Sequence, residues 1–294
     1  LRRRIKPALP APGFHSCLAP TRATLTDSTI IHEHTQIQAL SASAIGSDSV
    51  CFYHSGATPV CLTPAFPTES MNYLAHGYRF LDSPLFLAGT AVPDWLSVVN
   101  RRVRARSRLA QPVIDTTDCN DVRDIGRGIL QHHRDDDAFH RCAPFQHMEA
   151  DLSAQFRRHM PDKYDHRPGF LGHIVVELML DAALAARDET LLDRYYAALS
   201  LVDSGKVESA VNQMSTRKTD RLAWFINRFR EERFLDDYVD DERIFVRINQ
   251  VLHRVKLAAM ETSAIEVLAS ARELLLERAN ELLDEVAVSG KGTD

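Results

Sequence analysis

The sequence predicts an all-α fold. From Met71 onward, apolar residues recur at helical spacing, and short loops rich in Pro, Gly, Asp and Ser divide the helical segments. No run of alternating apolar and polar residues interrupts this pattern, and residues 171–187 have the composition of a core helix. These observations favour one helical domain over residues 71–260.

The composition is that of an ordinary protein with a hydrophobic core. The 294 residues, 45% of them hydrophobic, suffice for one large domain or two small ones. The net charge of −5 argues against a nucleic-acid partner, and no uninterrupted apolar run reaches the ~18 residues of a transmembrane helix. The five cysteines are odd in number and form no Cys-x-x-Cys pair, so we expect reduced thiols in a cytoplasmic protein.

Residues 1–70 differ from the rest of the chain. They contain seven of the thirteen prolines, many Ser, Thr and Ala residues, and no sustained helical or strand period. We expect a disordered leader or an over-extended gene model, with Met71 as the start of the functional protein. Short strands at Val50–Phe52 or Val60–Leu62 are the regular elements that we anticipate here.

The first two helical segments, residues 71–81 and 86–96, each carry one ionisable side chain of interest. His76 lies on a mixed apolar face, where it is either a core histidine or a metal ligand. Asp94 follows Pro93 in an apolar stretch, which suits either a helix N-cap or a carboxylate that points inward.

An arginine-rich stretch follows at residues 101–108. Arg101, Arg102 and Arg104 belong to this run of five arginines. A solvated helix face or loop explains such a run, but it is also the chain's best candidate for binding an anion or phosphate. Arg134, in the next helical segment, is the other candidate.

A line of ionisable side chains runs along residues 124–140. His132, Asp136 and His140 stand four residues apart, which stacks them on one helix face, and an alternative register uses His133 and Asp137. A charged helix face in solvent is the alternative explanation.

A second such line runs along residues 171–187 and consists of His173, Glu177 and Asp181. The segment is otherwise apolar and has no basic residue before Arg187, so its carboxylates need a counter-charge if they are buried. A divalent metal would supply it. Arginine from elsewhere in the fold, or water at a groove, is the alternative.

Facing helices that each offer His and carboxylate groups are how helical bundles build metal sites. We therefore predict a metal centre on some subset of seven residues, with one or two ions, and with His133 and His140 as supporting or alternative ligands. The seven are His76, Asp94, His132, Asp136, His173, Glu177 and Asp181.

The remaining segments indicate structural helices. Residues 188–202 and 219–257 carry apolar and aromatic side chains at helical spacing, which predicts core helices. The pattern of residues 261–288 predicts a long amphipathic helix that either caps the bundle or pairs with a second subunit in a homodimer. We expect residues 289–294 to form a disordered tail.

The chain resembles the acyl carrier protein phosphodiesterase family over about residues 71–256. The resemblance implies an HD-like helical fold and a divalent metal, typically Mn with Fe or Zn as alternatives. It also implies hydrolysis of the phosphodiester between phosphopantetheine and a carrier-protein serine. The similar pieces are Met-Asn-Tyr-Leu-Ala-His (71–76), Gly89 to Asp94, Gly128-Ile129 with His132 and Asp136, and Glu177 with Asp181.

This resemblance implies that Asp94 is catalytic or metal-binding, with Asp136 and Glu177 as the other catalytic carboxylates. The chain departs from the family pattern at His140 and Ala182. A looser resemblance links Ala-Gly-Thr-Ala-Val-Pro-Asp (88–94) and Gly-His-Ile-Val-Val-Glu (172–177) to zinc-dependent phospholipase C-like proteins. We expect a metal-dependent phosphodiester hydrolase. The alternatives are a phospholipase C-like hydrolase and a non-catalytic helical metal-binding or scaffold protein.

Overall fold

The computed structural model describes residues 50–52, 60–62, 72–160 and 168–289, with the side chains of 72–160 and 168–285. The chain divides into two compact units, Leu1–Leu62 and Thr63–Asp294. In the first unit, β1 (Val50–Phe52) pairs antiparallel with β2 (Val60–Leu62), which confirms both short strands. Within residues 1–70 and 289–294, for which disorder is predicted, the structure describes these two strands and Ser289 at the end of the last helix; the other residues of both ranges lie outside the described ones.

The second unit is all-α, as the sequence predicts. Its described residues form the following helices: α1 (Tyr73–Gly77), α2 (Pro84–Val99), α3 (Ser107–Thr116), α4 (Asn120–Arg141), α5 (Ala143–His159), α6 (Pro168–Arg187), α7 (Leu191–Ser200), α8 (Ser204–Val211), α9 (Leu222–Glu232), α10 (Asp241–Arg254) and α11 (Ala264–Ser289). Two 3-10 segments, Tyr78–Phe80 and Phe234–Val239, follow α1 and α9.

Most helix ends follow the predicted loop signals. Pro84 begins α2, because proline at the first turn lacks only an N–H that has no helical partner there. Asp203 caps α8 by accepting hydrogen bonds from the N–H groups of Gly205 and Lys206. Pro112 in the sequence also predicts a loop, and this prediction is wrong because α3 continues through the residue. Pro93 also lies inside a helix, α2.

Helix α6 lies in the core. Its residues from Leu171 to Ala185 are almost all buried, and it packs against α1, α5 and α11. Among the described helices, α6 is the one that is long and apolar enough to cross a membrane, judged by length and composition alone. Within its most apolar stretch, 78% is buried inside the fold. A core helix has the same properties, so the absence of a transmembrane segment stays a prediction.

The C-terminal helix α11 belongs to the same unit as the rest of the bundle. Its apolar side, which includes Leu268, Leu275 and Leu282, is fully buried, and the helix packs against α4, α5, α6 and α10. Of the two predicted roles, the structure shows the capping one. Pairing with a second subunit stays a prediction, and it would use the outer side, where Leu276 is exposed.

Candidate metal centre

Helices α2 and α4 cross with their backbones in direct contact at two glycines. A Cβ atom on Gly128 would lie 2.2 Å from the carbonyl oxygen of Phe86 and 2.8 Å from the Cα of Gly89. Only glycine fits at such a crossing, since a real Cβ atom needs about 3.3 Å or more from an oxygen. The contact brings Asp94, five residues after Gly89, close to His132, one turn after Gly128.

Four of the predicted ligands meet at this crossing, and we call His76, Asp94, His132 and Asp136 the buried cluster. His76 Nε2 lies 3.4 Å from Asp136 Oδ1, and His132 Nε2 lies 3.4 Å from Asp136 Oδ2. Asp94 Oδ1 lies 4.0 Å from His132 Nε2. The cluster thus joins α1, α2 and α4. Asp94 is a buried, inward carboxylate inside α2, so the N-cap alternative is wrong.

The buried cluster has more polar atoms than the described residues satisfy. His76, Asp94 and His132 are 2–3% exposed. Asp94 Oδ2 and His132 Nδ1 are buried and form no hydrogen bond with any described residue, and His76 Nε2 and Asp136 Oδ1 meet each other only as an ion pair at 3.4 Å. Each unsatisfied buried group costs about 1–3 kcal/mol, and a divalent cation bound by imidazole nitrogens and carboxylate oxygens would remove that cost. The donor set fits a metal ion, and His76, His132 and Asp136 each offer one ligand atom within 4.8 Å of the others.

The ionisation of the buried cluster follows from its burial and its mixed charges. Burial lowers the pKa of His76, but the neighbouring Asp135 and Asp136 outweigh this effect and raise it to about 10. Burial lowers the pKa of His132, so this imidazole is neutral at pH 7. Burial also raises the pKa of Asp94 well above its usual range. For Asp136, the two histidines outweigh burial and lower the pKa.

Three residues that the sequence did not single out support His76. Asp135 is 1% exposed and lies 3.5 Å from His76 Nδ1, on the side of the ring away from Asp136. Arg79 Nη2 donates to Asp135 at 3.3 Å, and Gln131 Nε2 donates to Asp135 at 2.6 Å. A carboxylate on the second ring nitrogen is the usual support of a metal-binding histidine, because it fixes the ring and its tautomer.

Asp181 does not join the buried cluster, and its prediction as a metal ligand is wrong. Its Oδ2 accepts the backbone N–H of Leu74 at 2.9 Å, and its Oδ1 accepts that of Ala75 at 2.8 Å. Both N–H groups lie at the start of α1, where no helical carbonyl is available to them. Burial raises the pKa of Asp181 to about 8, although the two N–H donors act in the opposite direction. Asp181 therefore positions α1, the helix that carries His76.

The other predicted ligands form a second group, and we call His140, His173 and Glu177 the outer cluster. Glu177 Oε1 lies 3.0 Å from His140 Nε2 and 3.3 Å from His173 Nε2. Glu177 is fully buried, whereas about one third of each histidine side chain is exposed. The seven predicted ligands therefore do not form one set. His140, predicted only as a supporting or alternative ligand, is a full member of the outer cluster.

The remaining predicted residues lie elsewhere. His133 Nε2 donates to the carbonyl of Ala105 at 2.7 Å and so anchors the arginine-rich stretch to α4; it joins neither cluster, which corrects its prediction as a ligand. Arg134 is exposed and donates to Gln131 at 2.9 Å. Arg101 and Arg102 are exposed on the turn after α2. Arg104, which is half-buried, is held by a backbone hydrogen bond from Thr216.

Comparisons with known proteins identify no relative: no protein-family model, no curated protein and no solved structure matches this chain. The site therefore stands on its own chemistry. The described part of the chain contains two His and carboxylate groups that could hold a metal ion, one buried and one at the surface.

Proposed function

We propose that the chain is a metal-dependent phosphohydrolase that cleaves phosphodiesters at the buried cluster. The observation that carries the proposal is the convergence of two imidazoles and two carboxylates in the core, where Asp94 Oδ2 and His132 Nδ1 have no hydrogen-bond partner in the described part of the chain. Buried polar atoms of this kind need a partner, and an ion or water can supply it. Two imidazoles and two carboxylates favour a divalent cation.

Each residue of the buried cluster has a role in this proposal. His76, His132 and Asp136 would hold the ion, because each directs a ligand atom at the same point. A divalent cation supplies a Lewis acid, which makes a water molecule acidic near neutral pH and stabilises negative charge on phosphoryl oxygens. Asp94 stands slightly apart, and burial raises its pKa. A cation bound beside it would favour the ionised form of this carboxyl group, and the carboxylate could then accept a proton from the attacking water.

Arg79 supports a phosphate rather than an uncharged ester as the substrate. It follows His76 by three residues, and its side chain is 24% exposed beside the buried cluster. Its Nη2 contacts Asp135, while its Nε is buried and forms no hydrogen bond with any described residue. A partly exposed guanidinium beside a metal centre is suited to bind phosphoryl oxygens. We propose Arg79, ahead of Arg134 and the arginine-rich stretch, as the phosphate-binding group.

The experiment measures hydrolysis of bis(p-nitrophenyl) phosphate by the full chain supplied with Mn²⁺, Fe²⁺ or Zn²⁺. Asp136→Asn should lose both metal and activity. Asp94→Asn should retain the metal and lose at least about 100-fold in kcat, the usual size of a general-base effect. The matched control is Asp137→Asn, the next residue on α4, which is exposed and forms an ion pair with Arg141. Its activity should equal that of the wild type.

If the chain binds these metals but cleaves no diester with any of the three, the enzyme proposal is wrong and the protein is a metal-binding protein without this activity. If the diester is cleaved, the natural substrate class is decided by comparing holo-acyl carrier protein, phospholipids and nucleotide diesters. The resemblance of residues 71–256 to the acyl carrier protein phosphodiesterases makes the carrier protein the first substrate to test, with Mn²⁺ as the first metal.

A further inference from the structure

We propose that the outer cluster, His140, His173 and Glu177, is a second metal site, which binds Zn²⁺ independently of the buried cluster. The site does not rest on the proposed phosphohydrolase activity. Tetrahedral Zn²⁺ with bonds of about 2.0–2.1 Å requires its ligand atoms to be about 3.3–3.4 Å apart. Glu177 Oε1 lies 3.0 Å from His140 Nε2 and 3.3 Å from His173 Nε2. These two distances are thus within a few tenths of an ångström of this spacing, and all three ligand atoms lie within 4.8 Å of one another.

A second observation points to a bound cation at the same place. Glu177 is fully buried, and its Oε2 forms no hydrogen bond with any described residue. Two further carboxyl groups, Asp94 and Asp181, are near enough to interact electrostatically with Glu177. A carboxylate buried in a core needs positive charge beside it, and a zinc ion on Glu177 would supply that charge.

The outer cluster also has the supporting contacts of a zinc site. His173 Nδ1 lies 3.5 Å from Glu149 Oε1, so the ring has a carboxylate on each nitrogen. Gly172 makes this possible, because a Cβ there would lie 2.6 Å from the carbonyl oxygen of Glu149. Phe145 packs against both histidine rings, with centroid distances of 5.0 and 5.1 Å, and holds them in place.

The ligand atoms of the two clusters form separate groups, each with its own atoms within 4.8 Å of one another. His132 and His140 are eight residues apart on α4, which is about 12 Å along the helix axis. The outer histidines are about one third exposed, so water can complete the coordination. Three protein ligands with one open position, two His and one Glu, are a known zinc arrangement.

The test counts zinc ions on the full chain by equilibrium dialysis with metal analysis, and measures affinity by competition with a colorimetric zinc chelator. The wild type should bind two Zn²⁺. His140→Ala and Asp136→Asn should each bind one, and only the double variant none. His147→Ala, an exposed histidine on α5, is the matched control and should bind two. Co²⁺ in the Asp136→Asn chain should give the strong visible absorption of a four-coordinate ion.

If the wild type and His140→Ala bind equal numbers of Zn²⁺, whichever number that is, the proposal is overturned; a single Zn²⁺ that is lost in His140→Ala but kept in Asp136→Asn would instead show the buried cluster to be empty. Circular dichroism checks that each variant is folded. If His140→Ala fails to fold, Glu149→Gln replaces it, because this variant changes no ligand. It should weaken one of the two zinc sites about 10- to 100-fold, the usual effect of losing the carboxylate behind a histidine ligand. Unchanged affinity at both sites in Glu149→Gln would equally contradict a zinc ion at the outer cluster.

Discussion

The crossing of α2 and α4 gives the sharpest structural prediction, because Gly128→Ala places a carbon atom where the backbone of α2 already lies. The new Cβ would be 2.2 Å from the Phe86 carbonyl oxygen, about 1 Å closer than the approximately 3.3 Å of a normal contact. A backbone carbonyl, unlike a side chain, cannot change rotamer to avoid the new atom. The two helices must therefore move apart by about 1 Å. Overpacking of this kind costs about 1–3 kcal/mol, and rigid backbone on both sides favours the upper end. The better helix propensity of alanine returns up to about 1 kcal/mol.

We therefore expect Gly128→Ala to lower the free energy of unfolding by about 2 kcal/mol, measured by urea denaturation followed at 222 nm. It should also lower kcat, since separating the helices draws Asp94, the proposed base, away from His132. Gly169→Ala is the matched control: its Cβ would meet nothing within 4 Å, so the free energy of unfolding should stay equal or rise slightly. A Gly128→Ala chain within about 0.5 kcal/mol of the wild type would refute the close crossing.

Three further predictions concern the groups that support the buried cluster. Asp181→Asn should lower stability by about 1–3 kcal/mol in a thermal melt, because an amide cannot accept from the N–H groups of both Leu74 and Ala75; an unchanged melting temperature would refute the cap. Asp135→Asn should weaken Mn²⁺ binding about 10- to 100-fold without removing a ligand, and equal affinity would show that it does not support the histidine. The pKa of His76 in the apo-protein is about 10, so a metal must displace a proton near neutral pH. Metal affinity should rise about tenfold per pH unit from about pH 7 to 9, and titration calorimetry in two buffers should detect the released proton; a flat profile would contradict this.

The sequence was sufficient for the fold class and for the core of the buried cluster. A spacing of four residues places His132 and Asp136 on one face of any helix, whatever the rest of the fold does. The same spacing could not show where that face meets another helix. His140 continues the line on α4, but two turns carry it about 12 Å away, to a different partner helix. The predicted single ligand set therefore separates into two clusters.

The supporting residues were not predictable from spacing, because their roles depend on contacts distant in the sequence. Asp181 is 107 residues from Leu74, and only the packing of α6 against α1 makes it a cap. Asp135 lies between the predicted positions on α4, so a search for residues four apart passes over it. Its one sequence signal is the run of three aspartates that follows Arg134. Gly89 and Gly128 appeared as parts of a resemblance, and the structure supplies their physical reason.

The central claim is that the buried cluster holds a divalent cation. The most direct measurement is a Mn²⁺ titration of the full apo-chain, in which free Mn²⁺ is followed by its electron paramagnetic resonance signal. The wild type and Asp137→Asn should bind one Mn²⁺ at the buried cluster, and Asp136→Asn should bind it at least about 100-fold more weakly. When free Mn²⁺ is at 100 times the dissociation constant of the wild type, it should raise the free energy of unfolding of the wild type by about 2.7 kcal/mol. The free energy of unfolding of Asp136→Asn should stay the same. Equal binding by the wild type and Asp136→Asn, or no binding by either, would contradict the metal centre.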